Sequence, residues 1–348
     1  MNSEFHYYTV AFLAVKAGLN SQTAEEIAYS SQFVDNNLTP WKITGLGEPL
    51  FTQATQNYNV IDPSVLNEIL IPFHFLPVGP GEQLSVRKDG KTNPWDVRPN
   101  SPLAKALLVD AFRENDPLGI GIALHAYADT WAHQNFIAPI DDWNRLYLPQ
   151  VGSALADSNI VNSNFVNSFI PPGGHAQALK APDEWLSVWE DPRLLSPKVN
   201  NVDRFIEASR KVFRYLCVWT GKDFQAEESA VLDELNQMIQ LRRGRPSEER
   251  LREFILGGIT PYNKSAWLEE AVEPNSYLPS LEVPFWSTLD KVATKLQEHT
   301  GVGVLGPREA RAKPNFTSSR FYRWQQAAQA HRKRAHQRLD QMFPHWRS

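Results

Sequence analysis

The chain has 348 residues, of which 42% are hydrophobic and 21% charged. These are ordinary proportions for a soluble globular protein, with length enough for a large core. A net charge of −4 argues against a dedicated nucleic-acid binder, the lone Cys217 excludes an internal disulfide, and no uncharged run that is also predominantly apolar reaches the roughly 18 residues of a membrane span.

In chain order, Glu4 to Lys16 is predicted to be a short helix stopped by Gly18, with Phe5, Tyr8, Phe12 and Val15 as its apolar face and His6 near its start. The apolar run Tyr7 to Ala17 contains Lys16 and lacks a basic flank or a small-residue cleavage site. It reads as a helix of the mature protein, and a cytoplasmic location is expected. Asn20 or Ser21 caps a second helix that runs through Val34 and ends at Asp35. Residues 38–100 are rich in Pro, Gly and Asn, which predicts long loops and a short hairpin around Glu68 to Phe75, with His74 held between Phe and Pro residues. Ser101-Pro102 opens a helix through Phe112.

Asp116-Pro117 then caps and starts a helix with no charge before Asp129, which reads as buried nearly all round. His125, Asp129 and His133 fall at i, i+4 and i+8, and so on one slowly drifting stripe of that helix. Buried polar groups need partners. Because the two histidines are roughly 12 Å apart along the axis, the economical arrangement is two cations with Asp129 shared between the His125 and His133 positions. The alternative is a buried polar triad satisfied by backbone and neighbours.

Further on, Gly173-Gly174 presents His175 on a tight turn. Val202 to Thr220, Ala226 to Arg243 and Ser247 to Leu256 are each helical in period and each stopped by Gly. A last helix spans about Ser319 to Phe343. From Gly301 on, ten Lys/Arg face two acids, leaving the tail near +8 and the remainder near −12. Such a face is solvated, docks on the acidic body, or meets an anionic partner. The expected fold is mainly α, a multi-helix bundle with long ordered loops. Residues 1–200 form a metal-binding core, and residues 201–348 form a helical part packed on it.

Five of the nine histidines, His6, His74, His125, His133 and His175, lie in apolar or Gly/Pro surroundings; the other four lie in the charged C-terminal part. With Asp35 and Asp129 the five supply enough imidazole and carboxylate for two sites, a donor set that suits Zn, Fe or Mn.

At this point the segment Ile120 to Asp129, followed by His133, resembles the core helix of the zinc-dependent phospholipase C and single-strand-specific nuclease superfamily. The order His6, Asp35, His74, His125, Asp129, His133, His175 is similar to that family's ligand order. The opening Phe-His-Tyr-Tyr and the run ending at Asp35 also resemble an uncharacterised bacterial family of unknown function. The zinc-enzyme resemblance implies a phospholipase C/nuclease-like core and two Zn²⁺ ions. Two departures stand out. In secreted members a mature N-terminal Trp amine holds a third zinc, whereas five residues precede His6 here, so no third metal is expected. Where the family has a Glu four residues after its last His this chain has Leu179, and Asp183 is the nearest carboxylate downstream.

The leading functional expectation is a metal-dependent hydrolase acting on a small phosphorylated substrate. Asp35 and Asp129 serve catalysis, and Gln32, Tyr127, Asn135 and Asp183 are substrate or outer-shell groups. A dinuclear iron enzyme that activates oxygen is a second expectation. A non-catalytic, metal-stabilised scaffold that binds a partner through its basic C-terminal helix is a third.

Overall fold

The computed structural model describes residues 1–81, 84–146, 170–241, 243–244, 247–274 and 308–347. Of the expectations above, Arg242 and the start of the basic tail, 301–307, lie outside the described residues. A π-helical turn, Glu4–Thr9, runs directly into helix α1, Val10–Lys16. Asn20 caps α2, Ser21–Asn36, by accepting from the Thr23 amide. A three-stranded sheet follows from β1, Trp41–Thr44, and β2, Leu50–Phe51, with β5, Arg308–Arg311, joining β1 in parallel from the far end of the chain.

Where the sequence suggested a hairpin near Glu68 to Phe75, the chain is helical. Asp62 caps α3, Pro63–Val65, which passes through a π-helical stretch, Leu66–Leu70, into α4, Ile71–Phe73. The start signal was Asp62-Pro63, a capping residue followed by a first-turn proline, and the short apolar run behind it does not by itself tell strand from helix. Pro72 has no N–H, and the His74 and Phe75 amides both go to the Leu70 carbonyl at 2.9 Å.

Helices α5, Pro102–Glu114, and α6, Pro117–Ala132, each begin at a polar cap followed by proline. Asp116 accepts from the amides of Leu118 and Gly119, and every residue from Leu118 to Ala132 is buried. Helix α6 is central because α2, α5, α7 (Asn201–Thr220) and α11 (Arg320–Met342) all pack on it. Gly121 allows the closest approach: a Cβ there would collide with the Ile27 carbonyl of α2, and the Ser30 hydroxyl donates to Leu118 O at 2.6 Å. Between α6 and α7 lies a two-stranded ribbon of β3, Val188–Glu190, and β4, Lys198–Asn200. Helices α8, Glu228–Gln240, α9, Ser247–Leu256, and α10, Ala266–Ala271, complete the described part. One hydrophobic core runs through all of this, from Phe5 against Trp185 and Phe205 to Trp324 and Leu339 on α11.

The basic helix docks on the acidic body. Arg320 pairs with Glu270 at 2.7 Å, Arg323 with Glu26 at 3.1 Å and Arg332 with Glu68 at 3.0 Å, while Arg334 meets Glu114 and Arg338 meets Asp110. Among the described residues no helix is long and apolar enough to cross a membrane.

Candidate metal centre

Each candidate ligand is delivered by the end or the irregular part of an element. His6 sits in the first π-helical turn, Asp35 in the last turn of α2, His74 just past α4, and His133 at the C-cap of α6; only His125 and Asp129 lie within a regular helix. Local π geometry widens a turn and re-aims its side chains, which is why it recurs at functional sites. At the 173–175 turn Gly174 takes φ +51°, and a Cβ there would stand 2.7 Å from Phe75. The Phe75 ring stacks on His133 at 4.6 Å and also flanks His175.

These side chains converge in three adjoining donor groups: His6 with His125 and Asp129; Asp35 with His74 and His125; and His133 with His175 and Asp183. Asp129 Oδ1 lies 3.1 Å from His6 Nε2, while Oδ2 lies 3.1 Å from His74 Nδ1 and 3.3 Å from His125 Nε2. Asp35 Oδ1 is 3.6 Å from His125 Nε2 and 3.9 Å from His74 Nδ1. Asp183 faces His133 Nε2 with one oxygen and His175 Nε2 with the other, both at 3.4 Å.

The tautomers follow from the backbone. His74 Nε2 meets Thr55 O at 2.8 Å, His133 Nδ1 meets His74 O at 2.8 Å, and His175 Nδ1 meets Leu179 O at 3.2 Å. A carbonyl only accepts, so each of these nitrogens carries a proton, and it is the other ring nitrogen that faces the carboxylates. Three imidazoles are thereby set in the orientation a metal ligand needs, with the supporting hydrogen bond already in place.

The charge balance points the same way. Burial pushes His6 down to about 3, with His125 and the Met1 ammonium adding to the effect against the pull of Asp129. Burial likewise takes His125 down to about 4, and it lowers His175. Desolvation opposes ionisation of Asp129 and Asp183, yet the surrounding ammonium and imidazoles hold both well below the usual carboxylate range; burial raises Asp35. His133 moves up despite its burial because Asp129 and Asp183 face it. Lowered His6, His125 and His175 beside ionised Asp129 and Asp183 are in the protonation states in which such groups bind a cation, whereas His133 and Asp35, both raised, would release protons as one binds.

The structure differs from the sequence reading in several places. Asp129 was expected to span the His125 and His133 positions; Oδ2 lies 3.3 Å from His125 and 3.8 Å from His133, but the His133 atom it meets is Nδ1, already bonded to His74 O, and the closer contacts of the carboxylate are to His6 and His74. His133 ends the helix, and the His74 carbonyl turns its ring, so its free nitrogen points at Asp183. Asp183 therefore stands among the donors, with an exposure of 23%, and not behind them. Tyr127 lies away from the cluster, its hydroxyl donating to Asn100 Oδ1 and its ring against Trp131 and Tyr215. Asn135 takes φ +72°, and its amide donates to Val97 O in a turn. Gln32 is buried one turn before Asp35 and donates to Asn36 Oδ1 at 3.1 Å.

Sequence reasoning missed the Met1 amine. It is buried 2.6 Å from Asp129 Oδ1 and 3.3 Å from Asp183 Oδ1, and despite the desolvation that disfavours its charge, Asp129, Asp183 and Asp35 raise it to about 11. The Met1 nitrogen thus lies against the carboxylates of the cluster. Glu4 helps to hold this arm through a buried pair with Arg250 at 2.6 Å.

Fold and site together define a mainly helical protein with a buried His/Asp constellation capable of holding metal. By comparison with known families, the chain belongs to a family of unknown function, DUF6765, whose model matches residues 1–339. No curated protein and no solved structure matches the chain, and no comparison brings in the zinc phospholipase C and nuclease superfamily.

Proposed function

We propose that this protein is a metal-dependent hydrolase, acting on a phosphoester through two adjoining cation positions. Asp35, His74, His125 and Asp129 would hold one cation; His133, His175 and Asp183 would hold the other, with zinc the cation the donor set suits best and Fe or Mn as alternatives. The observation that carries the reading is the set of three imidazoles, each held by a backbone carbonyl behind one nitrogen so that its other nitrogen converges with carboxylate oxygens. Convergent nitrogen and oxygen donors with the far ring nitrogen anchored on the backbone are the arrangement of a cation site. When bound, divalent cations supply Lewis acidity and bring water toward ionisation near neutral pH.

The chain's own residues do the rest. Asp35, Asp183 and His175 are the partly exposed members, at 22%, 23% and 19%, and they mark the side from which water and substrate enter. Asp35, raised by burial and 3.5 Å from Gln56 Nε2, is the carboxylate placed to orient a water there. Asp129, at 1% exposure, has no access to solvent and acts by holding and balancing charge. A phospholipase C/nuclease-like core belongs to the same proposal, supported by the shared order of ligands.

Elemental analysis of the gently purified protein, paired with a phosphomonoesterase and phosphodiesterase screen with Zn²⁺, Mn²⁺ and Fe²⁺, tests the reading. Bound metal near two equivalents and hydrolysis lost in Asp129→Asn are expected. A protein that neither retains nor takes up any of these metals would end it.

A further inference from the structure

Helix α11 carries two histidines that sequence reading set apart from the cluster, and both reach the segment that delivers His74. His331, 1% exposed, places Nε2 3.0 Å from Pro72 O, and its ring lies 5.3 Å from that of Phe73. His336 places Nε2 2.9 Å from Asn67 O. Arg332, between them in sequence, pairs with Glu68. Pro72 needs this help: the chain leaves the helix after Phe73, so the Pro72 carbonyl is one of the terminal acceptors left without a helical partner. His331 supplies the donor from another helix.

Two residues further on, His74 serves both cation positions. Its side chain faces Asp129, Asp35 and His125, while its carbonyl fixes the His133 ring, which faces Asp183. A displacement of this one peptide moves a donor in one group and unseats the orienting bond of a donor in the other.

Resting on the metal-centre reading above, we infer that His331 is a positioning residue for both cation positions. His331 touches no donor and acts through Pro72.

Co²⁺ titration of metal-free protein, followed by visible absorption well below the unfolding temperature, tests the positioning. His331→Phe keeps a ring against Phe73 but has no donor, and it is expected to weaken both positions by about 10-fold or more, the usual cost of losing an outer-shell partner. His331→Gln retains an N–H and should stay near wild type. Unchanged affinity and spectrum in His331→Phe, weakening at one position alone, or equal loss in the Gln variant would overturn the inference. Failure of the wild type to bind Co²⁺ at all is a different result, and it removes the metal-centre reading itself.

Discussion

His331 also provides the clearest pH prediction, because it lies outside the metal cluster and its partners are few. Burial lowers it to about 4, the bond to Pro72 O opposes the drop, and Arg334 adds to it. In the unfolded chain the same group titrates near 6.5. Between these values the unfolded state binds more protons than the folded one, so the folded protein loses stability as pH falls. The contribution is fully present above about pH 6.5 and is lost toward pH 4. The interval of about 2.5 pK units corresponds to roughly 3 kcal/mol, at about 1.4 kcal/mol per unit.

Wild type and His331→Phe should be unfolded by denaturant with a chelator present, at closely spaced pH values from 4 to 8, with tryptophan fluorescence as the signal. Other titrating groups, His6 and His125 among them, act in both proteins and cancel in the difference. The wild type should lose about 3 kcal/mol more than the variant across that range. Parallel curves would show that His331 does not stay neutral in the fold, and the reasoning would fail with them.

Three further outcomes are expected. Gly121→Ala puts a Cβ into the Ile27 carbonyl where α2 and α6 meet, and should destabilise by about 1–3 kcal/mol in thermal melts; an unchanged melt would mean the two helices separate freely. Arg250→Met leaves the buried Glu4 carboxylate without its partner and should cost about 3–5 kcal/mol, with Glu4→Leu/Arg250→Met recovering most of that loss. If the double variant is no better than the single one, the pair is not the unit that holds the arm. Asp183→Asn should lower bound metal by about one equivalent by elemental analysis while the fold persists; full metal content would return Asp183 to an outer role.

Local signals carried much of the architecture into view before any coordinates. Asp116 and Asn20, the latter one of two candidates, cap the helices they were expected to cap, Ser101 and Ser319 cap helices whose starts were placed there, and Gly221 ends α7 in the left-handed conformation that glycine permits. These are short-range effects, written in adjacent residues. The stripe His125, Asp129, His133 was legible for the same reason, since helical period needs only spacing. The hairpin expected near His74 failed because an apolar run of a few residues fits either period, and the Asp62-Pro63 start signal outweighed it.

What the sequence determined alone was therefore the helical class, most helix boundaries and the residue types able to hold a cation. Only the tertiary structure decided which carboxylate oxygen faces which nitrogen, that Asp183 joins His133 and His175, that the Met1 amine returns to Asp129, and that His331 supports the His74 segment. The physical reason is that ring orientation depends on which backbone carbonyl lies behind each imidazole. Two of those carbonyls, Thr55 behind His74 and His74 behind His133, reach their places only when segments well apart in the chain have packed, while Leu179 reaches His175 within one turn.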